Sequence, residues 1–466
     1  MASSRPLPGC SWNIRSDGGQ PMTMPPPAST LADVAAVLDS APANRRRTLV
    51  ILICFAIVAI EGFDAAIIGF VAPQITAHFH STPGQTSAAI GAGMLGLLIG
   101  YLAGGIWSDK RGRRPALAAG TALFGLACIG CAFSAALPQL IGWRLATGIG
   151  IGIAMPPIGA LLAEVLPSGR RASTLTAVFC GFLLGSALAG LLTGLLIERI
   201  GWEGLFVLGG VAPLLCLPAV LARVPESPMY LAHRGAESAR VRQALARLGI
   251  AVDAATQFLA PRTQTGQANG SVRGLFSPAL IRTTVLLWAI MFLILGSFYV
   301  IASWLPTLIR EGGASVAAAS RTAALFQSGG LAGAVVAALA IRRVPPLRYV
   351  GAAWLLGAAL PLWIAAPAAT PVYAVLVFCA GFLVSGPIVV VNAVMAMAYP
   401  TPVRSIGAGW ASSAGRLGSF AGAGSVGWLV QHGLALHQLI AGMAVTVLAS
   451  ALIVLFLSRS MRASGG

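Results

Sequence analysis

An all-α polytopic membrane protein, with twelve transmembrane helices in two six-helix bundles, is the fold class this chain predicts, and three observations predict it. Of 466 residues, 57% are hydrophobic and 9% charged, with a mean hydropathy of +0.84; a water-soluble domain has no use for so much apolar surface. Apolar runs of about 20 residues, enough to cross a bilayer as helix, recur along the chain. The runs form two sets of six whose landmarks stand at one constant offset.

The first predicted span, 49–75, carries Glu61 and Asp64 in an otherwise apolar run. The second, 86–107, and the third, 115–136, flank a short turn that needs Gly112. The fourth, 139–162, stops before Pro167, and the fifth and sixth follow at 173–197 and 204–222. After the longest polar interval come 282–305, 319–341, 347–367, 371–397, 405–430 and 434–458. The organisation read from these limits is a Pro-, Ser- and Gly-rich disordered tail over 1–46, a bundle over 47–222 and a central loop over 223–281. A second bundle over 282–460 and a short tail over 461–466 complete it. The first 46 residues hold no cleaved-leader pattern, so the first span is expected to direct insertion.

Pro73 and Pro306, Pro167 and Pro400, Arg171 and Arg404, Gly96 and Gly329, and Gly100 and Gly333 all stand 233 residues apart. One register held from the first span of each half to the fifth signals a parallel repeat, the architecture of a transporter with a cavity between two bundles. In that register Glu61 faces Ile294, Asp64 faces Ser297 and Arg416 faces Leu183. The acids belong to the first half and the deep arginine to the second.

The net charge of +17 invites a nucleic-acid reading, but placement argues against it. Arg45 to Arg47, Lys110 to Arg114, Arg170, Arg171, the arginines of 223–282, Arg342, Arg343, Arg348, Arg404, Arg459 and Arg462 fall on alternate loops. The other loops carry only Arg199 and Arg310, each beside a glutamate. That asymmetry predicts both termini on the cytoplasmic side. The five histidines lie in loops or at span ends, and Cys128 and Cys131 sit in an apolar span without further ligands. An enzyme, a metal site and a disulfide are therefore not expected.

A carboxylate at mid-membrane costs roughly 2.5–3.5 kcal/mol on insertion scales, so Glu61 and Asp64 are functional candidates. Spaced i and i+3, they share a helix face. Arg416 lies about 18 Å into the eleventh span at 1.5 Å per residue, too deep to reach water by extending. It either pairs with an acid such as Asp64 or receives an anionic substrate. Arg144, a turn inside the outer end of the fourth span, either extends outward or joins the same site.

The segment Gly105-Ile-Trp-Ser-Asp109-Lys-Arg-Gly-Arg113-Arg114 resembles the loop signature of the major facilitator superfamily, with lysine for its first arginine. Ala163-Glu164-Val-Leu-Pro167-Ser-Gly-Arg170-Arg171 and Pro225-Glu226-Ser-Pro resemble its cytoplasmic-end motifs. By that resemblance Asp109, Arg113, Glu164, Arg171 and Glu226 form a cytoplasmic gate network. Glu61-Gly-Phe-Asp64, Arg144, Glu164, Arg404 and Arg416 extend the likeness, over 45–460, to the aromatic acid:proton symporters, whose first-span motif normally begins with aspartate rather than Glu61.

The resemblance implies proton coupling through Asp64 and Glu61, with Arg404 at the gate and no cofactor beyond the proton. It implies a monomer in a bacterial inner membrane, importing hydroxybenzoate- or hydroxyphenylpropionate-type carboxylates. The cargo carboxylate is then expected at Arg416, helped by Arg144, and its ring among Phe63, Tyr299, Trp304, Gln327 and Asn392. Symport of a sugar, a polyol or another organic anion, and drug export, are the alternatives; sugar symport and drug export do not call for a mid-membrane arginine.

Overall fold

In hydrocarbon every backbone N–H and C=O needs a partner within its own segment, so long apolar runs fold as helices. The protein, seen in a computed structural model, is described over residues 31–254, 256–259, 272–278, 280–368, 370–399 and 403–463. A short strand β1 (Leu31–Asp33) and helix α1 (Val34–Ser40) precede α2 (Arg45–His78), α3 (Pro83–Arg111), α4 (Arg113–Ala132), α5 (Leu137–Val165) and α6 (Ser168–Arg223). Then come α7 (Pro228–His233), α8 (Ser238–Arg247), β2 (Gln257–Leu259) and α9 (Val272–Leu275). The second half holds α10 (Ile281–Glu311), α11 (Val316–Ala340), α12 (Pro346–Gly357), α13 (Leu360–Ile364), α14 (Pro371–Ala380), a π-turn (Gly381–Ser385), α15 (Ile388–Ala398), α16 (Arg404–Gln431) and α17 (Leu436–Ala463).

Among the described residues, ten helical stretches are long and apolar enough to cross a membrane. One of them, α6, has 56 residues, about 84 Å at 1.5 Å per residue, far beyond one bilayer. Gly201, at φ 68° and ψ −177°, breaks it, in a conformation that glycine alone adopts freely. The spans expected at 347–367 and 371–397 are each interrupted. Pro361 and Pro387 lack the N–H that an unbroken helix requires, and the chain breaks after Gly357 and widens into the π-turn at 381–385.

Within each half the helices approach through small residues. In α5, a Cβ on Gly148 would overlap the Gly93 carbonyl of α3, and reciprocally one on Gly96 would meet the Leu145 carbonyl. The halves meet along three seams: α2 with α10, α3 with α16 and α6 with α11. Backbone contact is closest toward the turns at 79–82 and 312–315, where a Cβ on Gly69 would sit 2.5 Å from the Ser303 carbonyl oxygen. Gly427 likewise abuts the Pro83 carbonyl.

The disordered tail expected over 1–46 holds structure from Leu31 onward. β1 runs parallel to β2, Leu31 opposite Gln257 and Asp33 opposite Leu259. Val34 and Leu38 of α1 are buried, as are Val241 and Leu245 of α8. The i, i+3, i+4 set Val34, Val37 and Leu38 is the amphipathic signal hidden in that polar stretch. Asp39 accepts from the Ser168 backbone N–H (2.7 Å) and hydroxyl (3.0 Å) at the start of α6. These bonds hold its carboxyl below the usual range, so the contact persists at neutral pH and is lost only as acidification protonates it. Arg47, 3% exposed, donates to the Leu38 and Ala41 carbonyls.

Gly148→Leu should wedge α5 from α3 and cost about 1–3 kcal/mol or more, seen as a lower unfolding temperature in detergent. Gly142→Ala, with nothing within 4 Å of the added Cβ, should leave that temperature unchanged.

Candidate functional site

The deepest charges lie where α2, α4, α5 and α6 converge. Arg144 of α5 and Asp64 of α2 are 3% and 1% exposed, and Arg144 Nη1 donates to Asp64 Oδ1 at 2.8 Å and Oδ2 at 3.0 Å. The guanidinium sits 5.7 Å from the Phe206 ring centroid, a cation–π contact. The Cys128 thiol lies 3.4 Å from Asp64 Oδ1 and 3.3 Å from the Phe206 carbonyl oxygen. Of the two expectations for Arg144, extension outward is excluded by its burial. The pairing of Asp64 with Arg416, one of the two sequence alternatives, is also excluded: Asp64 takes the arginine of its own half.

Arg416 is held differently. Its Nη2 donates to the Tyr101 hydroxyl at 2.9 Å and its Nη1 to the Tyr299 hydroxyl at 3.4 Å, while its guanidinium carbon lies 4.8 Å from the Tyr101 ring centroid. These contacts tie α16 to α10 and, across the seam, to α3. Both partners are neutral phenols. The carboxylate of Glu61 on α2 lies within electrostatic reach of Arg416. Glu61 is 4% exposed and makes no ion pair within 4.0 Å among the described residues. The site therefore has one closed ion pair, Asp64–Arg144, and one open pair of opposite charges, Glu61 and Arg416. A guanidinium with spare donors, partly exposed between the halves, is suited to a carboxylate.

The other expected contacts are unequal. Tyr299 touches Arg416 directly. Trp304 is 3% exposed and spends its Nε1–H on the Ala423 carbonyl at 3.0 Å, packing α10 on α16. Phe63 is buried beside Gly209 and Gln327 is 2% exposed. The side chains of Asn392 and Arg404 lie outside the described residues. Tyr101 escaped the sequence reading. One of only six tyrosines, placed mid-span on α3, it carried a signal in its polar hydroxyl within an apolar run.

At the α3–α4 turn, Arg113 reaches three ways. It contacts Asp109 at 2.7 Å, Glu164 at 2.9 Å and the Ser108 carbonyl at 2.9 Å, and lies 4.9 Å from the Tyr230 ring centroid. Glu226 accepts from the backbone N–H groups of Arg113 (2.8 Å) and Arg114 (3.3 Å), a carboxylate at the N-terminus of α4. Gly112, at φ 110°, gives that carboxylate room. Asp109, Arg113, Glu164 and Glu226 thus converge. Arg171 instead donates to the Leu166 carbonyl at 3.4 Å, which closes its own turn.

Residues 54–423 match the family described as the Major Facilitator Superfamily. The chain is similar to the 4-hydroxybenzoate transporter PcaK of Pseudomonas aeruginosa, 37% identical over 400 residues, 85% of this chain and 89% of that protein. It is 36% identical to the gallate transporter of Pseudomonas putida over 431 residues, 92% and 96% of the two chains. Its fold resembles the inward open conformation of the xylose transporter XylE from E. coli, at a TM-score of 0.67, 18% identity and coverage of 88% and 95%.

Breaking a buried ion pair from one side strands the other charge, at about 3–5 kcal/mol. Arg144→Leu or Asp64→Leu alone should therefore lower the unfolding temperature more than the two together, which a double-mutant thermal cycle in detergent measures.

Proposed function

The chain belongs to the major facilitator superfamily and, within it, to the aromatic acid:proton symporters, and from that premise we propose how it couples its cargo to protons. It imports an aromatic carboxylate of hydroxybenzoate or hydroxyphenylpropionate type by alternating access. It does so as a monomer of twelve spans, in two six-helix bundles with both termini cytoplasmic, in a bacterial inner membrane. The observation that carries the mechanism is a half-buried guanidinium, Arg416, bound to two phenol hydroxyls, while the buried Glu61 makes no ion pair among the described residues.

Charge counting supports the coupling. Glu61, Asp64, Arg144 and Arg416 sum to zero when all are ionised. A carboxylate arriving at Arg416 adds one negative charge to a buried site, which is costly to move through the low-dielectric interior. One proton on Glu61 restores neutrality, so the loaded site can change its access. Asp64, saturated by Arg144, holds the fixed half of the charge balance and positions Glu61, one helical turn away. Cargo and proton leave together when the cavity opens to the cytoplasm. Arg416, receiving a carboxylate, lets go of Tyr101, and this frees the α3–α16 contact between the halves.

The Asp109–Arg113–Glu164 cluster and the Glu226 cap lie in the first half. They support a role as the cytoplasmic gate, stiffening the end of α4 against which the second half closes. Arg171 and Arg404 belong to the same proposed gate by their place at equivalent ends of the repeat.

Uptake of one anion with one proton moves no net charge. A pH gradient should therefore drive accumulation in proteoliposomes, while a potassium diffusion potential alone, worth about 2.3 kcal/mol per charge per 100 mV, should not. Accumulation driven by potential alone would require a second proton and refute the charge count. Glu61→Gln should retain exchange of labelled 4-hydroxybenzoate but lose pH-driven accumulation. Arg416→Gln should lose both by about tenfold or more, a charged hydrogen bond being worth about 1.5–3 kcal/mol.

A further inference from the structure

Among the buried polar groups outside this mechanism, two stand near the line where the halves meet. Gln327 on α11 and Ser385 at the end of the π-turn are each 2% exposed, and neither Gln327 Oε1 nor Ser385 Oγ has a hydrogen-bond partner among the described residues. Buried polar atoms are nearly always paired, so each unpaired one asks for a reason.

Ser385 packs against α11 one turn from Gln327. Gly330 lies one turn along α11 from Gln327, on the same face, and a Cβ there would sit 2.6 Å from Ser385 Oγ. The same Cβ would lie 3.5 Å from Leu183 of α6, so the polar pair stands where the two halves meet. Ser297 and Ser328 donate to the carbonyl four residues back. Across the π-turn the ladder widens, with Gly386 N–H donating to the Gly381 carbonyl at 3.1 Å, and Ser385 Oγ keeps its donor unused.

A run of rings joins this polar end to the guanidinium. Phe326, adjacent to Gln327, stacks on Phe298 at 6.0 Å between centroids. Phe298 meets Phe182 of α6 at 6.4 Å and Tyr299 at 5.0 Å. The Tyr299 hydroxyl in turn accepts from Arg416. The guanidinium, these rings and Gln327 lie on α16, α10, α6 and α11, helices that form the seams between the halves.

We propose that Gln327 and Ser385 recognise a hydroxyl on the ring of the carried acid, at the end away from its carboxylate. The phenolic O–H donates to Gln327 Oε1, and its oxygen accepts from Ser385 Oγ–H. This rests on the import of an aromatic carboxylate proposed above and adds the residues that select its ring substituent. An acid without the hydroxyl leaves Gln327 unpaired, so discrimination comes from the stranded acceptor as well as from the lost bond.

The test is pH-driven uptake of labelled 4-hydroxybenzoate by the full-length protein in proteoliposomes, with unlabelled 4-hydroxybenzoate, 3-hydroxybenzoate and benzoate as competitors. The unaltered protein should favour 4-hydroxybenzoate over benzoate by about tenfold or more. Gln327→Leu should bring that ratio close to one while benzoate competes within about twofold of its original strength. Ser385→Ala, a smaller change that decides the matter where Gln327→Leu fails to insert, should narrow the ratio about threefold. A ratio near one in the unaltered protein, a ratio untouched by the variants, or an equal weakening of all three acids would overturn the assignment. Failure of the unaltered protein to take up any of these acids would instead bring down the transport reading beneath it.

Discussion

A charge in hydrocarbon has to be neutralised within reach of its own side chain, and the Asp64–Arg144 pair is where this protein meets that demand most fully. The pair locks α2 to α5, with Phe206 of α6 on the guanidinium and the Cys128 thiol of α4 on the carboxylate. Four helices of the first half are thereby joined through one buried contact. Its completeness makes the neighbouring arrangement informative. Among the described residues, Glu61, one turn from Asp64, has no such partner, and Arg416 across the seam is hydrogen-bonded by phenols alone. A protein able to build a closed pair has left a second pair open, and proton coupling is proposed to operate there.

Close helix approach is the condition for placing such groups at all. Small residues bring α3 against α5 and α2 against α10 until backbone atoms touch. Side chains as large as Arg144 then reach across a thin wall of backbone; a Cβ on Gly93 would lie 3.2 Å from its Nη2. The halves are held along the same kind of contact, so a hydrogen bond such as Arg416 to Tyr101 acts on a seam with little side-chain volume to spare. Under the proposed function, a change at Arg416 is then felt as a change in how two rigid bundles meet.

Legibility followed the range of each signal. The charged cluster of Asp109, Arg113, Glu164 and Glu226 was readable through motifs that resemble the superfamily's and lie at helix ends fixed by a short turn. Arg171 shared that motif yet turned to the Leu166 carbonyl, since a rotamer beside a proline-bounded turn is not set by spacing. The ordered stretch 31–40 was hidden because its apolar face, Val34, Val37 and Leu38, is short and sits in a Pro-, Ser- and Gly-rich tail, and its partner strand lies more than two hundred residues away. Tyr101 went unread for a similar reason: a single hydroxyl on an apolar helix becomes meaningful only when a guanidinium from another helix arrives beside it.

By itself the sequence determined that this chain lives in a membrane, repeats once, keeps its positive charge to one set of loops, and carries two acids and two deep arginines. These follow from hydropathy, periodicity and charge counts, which are local or additive properties. Only the tertiary structure decided which acid meets which arginine, because pairing depends on the rotation and depth of helices packed against one another, and a shift of one residue turns a side chain through about 100°. That geometry closed Asp64 on Arg144 and left Glu61 and Arg416 open.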